Sequence, residues 1–312
     1  MSVNQGNQEN PYVGPRAFTK NEVLYGRDRE RRDLFSLLVA ERLVMLYSPS
    51  GAGKSSLIQA GLIPDFIDKN KNRPMPFYIA PVIRVGLPAA TEANRYILGT
   101  LQSLEKSSDI PEGEKMSLQD LVKLDFDLYF NKRQTFLKES KYTVFIFDQF
   151  EEILTVDPTD QDKKIEFFTQ LGKFLQDRNR WALFALREDY IAGLDPFLHL
   201  IPTRLKTTFR LNLLEEKAAL EAVQRPAEKC GIPFSTEAAQ TLVDNLRTVQ
   251  VRQNDGTPKS ERGPYIEPVQ LQVVCRRLWE KLPLGATSIE ISTLSDLGNI
   301  DNALAEYYAD VD

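Results

Sequence analysis

Apolar residues gather along this chain in short unbroken runs, and between the runs they recur every three or four positions. RLVMLYS (42–48), TVFIF (143–147) and WALFAL (181–186) are the clearest runs. Unbroken apolarity of that length predicts strands buried on both faces, as in a parallel sheet covered by helices. PFYIAPVIRVGL (76–87), interrupted by Pro81, and TTFRLNLL (207–214) add two further strands. The helical period appears from Asp28 to about Glu41, after Ser56, and over 91–106, 117–139 and roughly 160–178. In the last of these, IEFFTQLGKFL supplies one apolar face. Strand alternating with helix means parallel strands joined by crossovers. The expected fold class is therefore α/β, a mostly parallel five-stranded sheet flanked by helices.

From Glu215 the runs stop. EEKAALEAVQRPAEK, STEAAQTLVDNLRTV and EPVQLQVVCRRLWEKL read as helices of a small bundle with no strand between them, and QNDGTPKSERGPY (253–265) as a polar, flexible loop. The expected organisation is a tail and aromatic-anchored loop over 1–24, an α/β domain over 25–214 and a helical domain over 215–298. Residues 299–312 are expected to begin a further domain that is cut short.

Candidate chemistry enters at the end of the first strand. Residues 48–55 read SPSGAGKS and run straight into the helical SLIQAGLI. A strand that ends in glycines and turns into a helix aims several backbone N–H groups, and the positive end of the helix dipole, at one spot. A phosphate chain fills that spot. Gly51 and Gly53 let the backbone close around it, Lys54 reaches the β/γ-phosphates, and the Ser55 hydroxyl holds Mg²⁺. Ser48 stands where the GxxxxGK[ST] pattern opens with Gly. The candidate nucleotide-binding set of the loop is Ser50, Gly51, Ala52, Gly53, Lys54, Ser55 and Ser56.

Hydrolysis needs more than a cradle. Asp148 ends the run TVFIF, at the strand tip where open α/β sheets bind ligands, and is a candidate for holding Mg²⁺ with Ser55. Glu151 and Glu152 follow as candidates for polarising water; acidic capping of the next helix is the alternative reading. Arg187 ends WALFAL. If that strand lies beside 42–48, its guanidinium reaches the γ-phosphate position; otherwise it pairs with Glu188 or Asp189 at the surface.

Composition narrows the classes. Thirty-nine basic against 44 acidic residues give a net charge of −5, which disfavours an extended nucleic-acid surface. No run of 18 apolar residues occurs and the polar N-terminus carries no secretory pattern, so a cytoplasmic protein without a membrane span is expected. The two cysteines, Cys230 and Cys275, read as core residues, and the single histidine, His199, excludes a multi-histidine metal site.

With these residues in hand, the sequence resembles the STAND NTPases, signal-transduction ATPases with numerous domains, and among them the bacterial novel STAND NTPase group. PYVGPRAF (11–18), YGRDRE (25–30), YSPSGAGKSSLIQAGLIP (47–64), FIFDQFEEIL (145–154), FALREDY (184–190), RLNLL with RPAEKCGI (210–232) and IEPVQLQVVCRRLWE (266–280) carry the likeness. The resemblance implies an α/β nucleotide-binding domain with a helical lid, and ATP or ADP with Mg²⁺ as ligands. It places Gly26 and Arg27 near the adenine, assigns Arg187 as a sensor arginine, and maps a nucleotide-contacting lid proline to Pro268, where IEP replaces the usual GxP. Arg204 falls where related AAA+ ATPases carry a trans-acting arginine, one that STAND proteins often lack. ALAEYYADV would open a winged-helix domain. The implied function is a slow ATPase switch, closed with ADP and self-associating with ATP, that acts through sensor and effector domains or partners outside this chain in bacterial signalling or defence. A nucleotide-binding scaffold without turnover, and an AAA+-type ATPase acting on nucleic acid, are the alternatives.

Overall fold

The computed structural model describes residues 9–86, 93–133, 142–252, 258–283 and 285–295. It divides into two compact units: a sheet unit of Arg29–Ser50 with Leu62–Leu211, and a helical unit of Met1–Asp28, Gly51–Gly61 and Asn212–Asp312.

The sheet unit carries β1 (Leu43–Ser48), β2 (Phe77–Ile79), β3 (Tyr142–Phe147), β4 (Arg180–Arg187) and β5 (Thr208–Arg210) in the order β2-β3-β4-β1-β5. Every pairing is parallel. Helices Arg95–Leu104, Phe126–Arg133 and Gln161–Phe174 belong to the crossovers, and Asp28–Glu41 leads into β1. The three clearest apolar runs became the three central strands, because a strand covered on both faces has no position for a polar side chain. Their core is aromatic: Phe147 stacks on Phe184 with centroids 4.9 Å apart, and Phe168 on Phe197 at 4.8 Å.

Both outer strands are shorter than their sequence runs. Pro81 has no N–H to give a ladder, so β2 stops at Ile79, and pairing resumes only as a bridge between Ile83 and Phe147. β5 stops at Arg210, and Leu214–Glu215 pairs antiparallel with Tyr265–Ile266 in the helical unit. The expected helix over 117–139 is broken into Leu118–Leu121, capped by Ser117, and Phe126–Arg133; its remainder lies outside the described residues, as does 299–312.

In the helical unit, Glu216–Lys229, Thr236–Leu246 and Pro268–Glu280 form the bundle. Tyr12 sits in its core, edge-on to Trp279 at 6.1 Å, with its hydroxyl donating to the Val223 carbonyl. Burial pushes the Cys275 thiol well above the usual range, which fits a packing residue. The expectation of a bundle without strands is corrected: Thr248–Arg252 pairs antiparallel with Pro258–Arg262. Pro258–Arg262 is exposed at every position, so no apolar pattern announced it. Among the described residues no helix is long and apolar enough to cross a membrane.

Candidate functional site

The phosphate loop leaves β1 at Ser48, whose buried hydroxyl donates to the Pro49 carbonyl at 2.8 Å. Ser therefore fills the place of the pattern's first Gly by bonding its own turn. In the helical unit the loop continues through Gly51 and Gly53, both left-handed (φ +74° and +90°), into a helix that starts at Lys54. An added Cβ at Gly53 would meet nothing within 4 Å, so glycine serves the backbone conformation and leaves open space beside the helix start. Lys54–Ser56 is α-helical and Leu57–Leu62 is π-helical, a wider turn that recurs at functional sites.

That open space belongs to a cavity of about 590 Å³, counting its open mouth. Its wall is assembled from four stretches of the helical unit, one of which contributes Leu214, Ala222 and Pro226. Gly53 and Ser56 come from the phosphate loop, Tyr25 and Arg27 from the N-terminal segment, and Pro268 and Gln272 from the bundle.

Arg27 is 4 % exposed and donates from Nη2 to the Ala52 carbonyl at 3.0 Å and the Asn212 carbonyl at 2.8 Å. It braces the loop backbone. Gly26 beside it has φ +75°, and a Cβ there would fall 2.2 Å from the Ala218 carbonyl oxygen, so no other residue fits. The Ser56 hydroxyl accepts the Phe18 N–H at 3.2 Å, which fastens the N-terminal segment to the first helical turn.

In the sheet unit, Asp148 follows β3 and is 2 % exposed. Gln149, left-handed at φ +53°, turns the chain so that the Phe150 N–H reaches the Ala185 carbonyl of β4 at 2.8 Å. A non-glycine residue in that conformation costs about 1 kcal/mol or more, and such strain clusters at functional sites. The turn separates the fates of the two glutamates. Glu152 accepts the Gly86 N–H at 3.1 Å and pairs with Arg84 at 3.4 Å. Among the described residues, one buried carboxylate oxygen of Glu151, Oε2, finds no hydrogen bond. Arg84 also lies 3.5 Å from Asp148.

β4 lies directly beside β1, and Arg187 is the register partner of Ser48. Its Nη2 is held by Asp189 at 2.7 Å, its guanidinium lies 5.5 Å from the Tyr190 ring centre, and among the described residues its buried Nε finds no hydrogen bond. Asp189 first, and Glu151 more weakly, hold this guanidinium firmly charged. Arg187 thus stands in an ion pair with Asp189 at the tip of the strand beside β1. Arg204 is exposed, in a run of three left-handed residues, Thr203, Arg204 and Leu205.

Among the described residues no cluster of three or more His, Cys, Asp or Glu could hold a metal by itself. A lone Asp and a Ser hydroxyl suit Mg²⁺ that arrives on phosphates and keeps waters, not a caged ion. Sequence reasoning missed Arg84, Tyr25 and Gln272. Arg84 is five residues past the end of β2, and Gln272 is one of several polar residues on its helix, so neither carried a local signal.

The sequence model of the family described as Novel STAND NTPase 1 matches residues 11–311. No curated protein matches the chain. Among solved structures, the Walker-type ATPase PaBy2304 of Pyrococcus abyssi is similar with a TM-score of 0.59 and 14 % identity, covering 97 % of this chain and 79 % of that one. The ORC2 protein of Aeropyrum pernix, solved as ADPNP–ADP complexes, gives 0.60 and 13 %, covering 95 % and 72 %. The ORC1 protein of the same organism, solved in complex with DNA, gives 0.55 and 12 %, covering 91 % and 66 %. At these identities the likeness is one of fold.

Proposed function

The chain belongs to the novel STAND NTPase 1 family, and from that premise we propose that it is an ATP-binding, slowly ATP-hydrolysing switch of the signal-transduction type. One observation carries the reading. Gly53 and Ser56 of the phosphate loop, Arg27 of the N-terminal segment and Pro268 of the bundle line a single cavity. A nucleotide there joins the phosphate loop to the bundle through one ligand, so its presence and phosphate count can bias the bundle's conformation. The adenine partners implied for Arg27 and Pro268 are accordingly assigned to the cavity, with Arg27 acting on the loop's shape.

Lys54 supplies the point charge for the phosphates, and the backbone of Ser50, Gly51, Ala52 and Gly53 supplies N–H donors. Ser55 and Asp148 are the assigned oxygen donors for Mg²⁺, which when bound neutralises charge on the β- and γ-phosphates. We assign water orientation to Glu151, because its Oε2 is buried and unpaired whereas Glu152 is occupied by Gly86 and Arg84. Glu152 and Arg84 set the position of Asp148. We assign Arg187 to report on the terminal phosphate by leaving Asp189, and expect unassisted turnover well below the roughly 1–100 s⁻¹ of kinases, because a trans-acting arginine of the kind STAND proteins often lack can contribute about 10³–10⁵ in rate. ATP-dependent self-association, a cytoplasmic location and an output in bacterial signalling or defence complete the proposal.

Steady-state phosphate release from ATP tests it, with Glu151→Gln and Glu152→Gln beside the wild type. Slow release that falls by about 10² or more in Glu151→Gln is expected. No release from the wild type under any condition that binds ATP would leave a nucleotide-binding scaffold instead. A second reading, an ATPase directed at nucleic acid, is favoured by the fold shared with the DNA-bound ORC1 protein. The net charge of −5 opposes it, and salt-dependent retention of duplex DNA would support it.

A further inference from the structure

Gln272 is 7 % exposed, lies on the first turns of helix Pro268–Glu280, and lines the cavity. Its Oε1 accepts the Val13 N–H at 3.1 Å. A backbone N–H can only donate, so the atom facing Val13 must be the amide oxygen, and the orientation of the whole amide is settled. Val13 is itself held on both sides: Arg276, one turn further along the same helix, donates to its carbonyl at 3.2 Å. With the oxygen engaged, the Nε2 amide is the remaining group, and among the described residues it makes no hydrogen bond.

We propose that Gln272 reads the base of the bound nucleotide, donating from Nε2 to an acceptor atom of the adenine ring. The inference rests on the nucleotide reading above and extends it from phosphate binding to base recognition. A donor that cannot turn over, carried by a mostly buried side chain on the cavity wall, favours a ligand with a lone pair there. It penalises one that places an N–H there, because two donors then face each other out of water. Adenine offers acceptors at N1, N3 and N7; guanine carries N–H at N1 and an amino group beside N3. The Val13 clamp makes the N-terminal segment a determinant of base specificity without touching the base itself.

The test is calorimetric titration of the full chain with ADP and, as a ligand without a base, inorganic tripolyphosphate. Gln272→Glu keeps an acceptor for Val13 and replaces the donor by an acceptor; Gln272→Met removes both and keeps the volume. ADP affinity should fall about tenfold or more in Gln272→Glu while tripolyphosphate affinity stays within twofold. On the wild type, removal of one ring nitrogen, as 1-deaza-, 3-deaza- or 7-deaza-ADP, should reproduce the loss, and Gln272→Met should add nothing to it. Equal ADP affinity in wild type and Gln272→Glu overturns the proposal, as does an equal loss for tripolyphosphate. A wild type that binds neither ligand overturns the nucleotide reading itself.

Discussion

Replacing Arg27 by Met removes a guanidinium while keeping most of its buried stem, so the cost isolates the brace on the phosphate loop. The side chain is 4 % exposed and its Nη2 serves the Ala52 carbonyl at 3.0 Å and the Asn212 carbonyl at 2.8 Å. A hydrogen bond from a charged donor contributes about 1.5–3 kcal/mol, so the two sum to about 3–6. Ala52 and Arg27 both border the cavity, so water can reach part of what is vacated and return some of that loss. The expected net destabilisation is about 2–4 kcal/mol. The two tryptophans allow a local readout, because Trp279 lies in the helical unit and Trp181 in the sheet unit. Urea denaturation in a Trp181→Phe background, followed by Trp279 fluorescence, should show the midpoint falling by that amount at constant slope. ADP affinity should weaken as well, because the loop loses its fixed shape. A change under about 0.5 kcal/mol would refute the brace, since surface contacts alone account for that much.

Gly26→Ala should destabilise the same transition, because φ +75° and a carbonyl 2.2 Å from the new Cβ leave no accommodating shift; a folded variant with wild-type midpoint would contradict this. Glu152→Gln should lower the midpoint of the sheet unit, read by Trp181 in a Trp279→Phe background, through weaker contacts to Arg84 and Gly86; an unchanged midpoint would deny the supporting role. The Arg16 guanidinium hydrogen-bonded to the Glu22 carboxyl holds it at about 2, below its ordinary 4.5. A depressed carboxylate stabilises the fold fully above about 4.5 and ceases to do so as pH falls through about 2, so Glu22→Gln should lower stability at neutral pH, leave it nearly unchanged below about pH 2, and flatten the acid limb between.

The sheet was legible where burial dictated residue type. The runs at 42–48, 143–147 and 181–186 had to be central parallel strands, because only a strand covered on both faces excludes polar residues so completely. The exposed hairpin of Thr248–Arg252 with Pro258–Arg262 had no such constraint and stayed hidden. At the site, the glycine-lysine-serine turn is local chemistry and was readable from spacing alone. Choosing between Glu151 and Glu152 was not, because the choice depends on Arg84 and Gly86, more than sixty residues upstream of Glu152. Likewise nothing near Gln272 points to Val13, whose N–H fixes its amide from 259 residues away.

The central claim is that phosphates bind at Lys54 and the loop that leads to it. Calorimetric titration with ADP and Mg²⁺, wild type beside Lys54→Ala, tests it most directly. Ala is an easy replacement at a first helical position, so the fold should persist and any loss of binding belongs to the missing charge. The account predicts one saturable site in the wild type and no measurable heat in the variant. Equal binding by both, or none by a folded wild type, would contradict it.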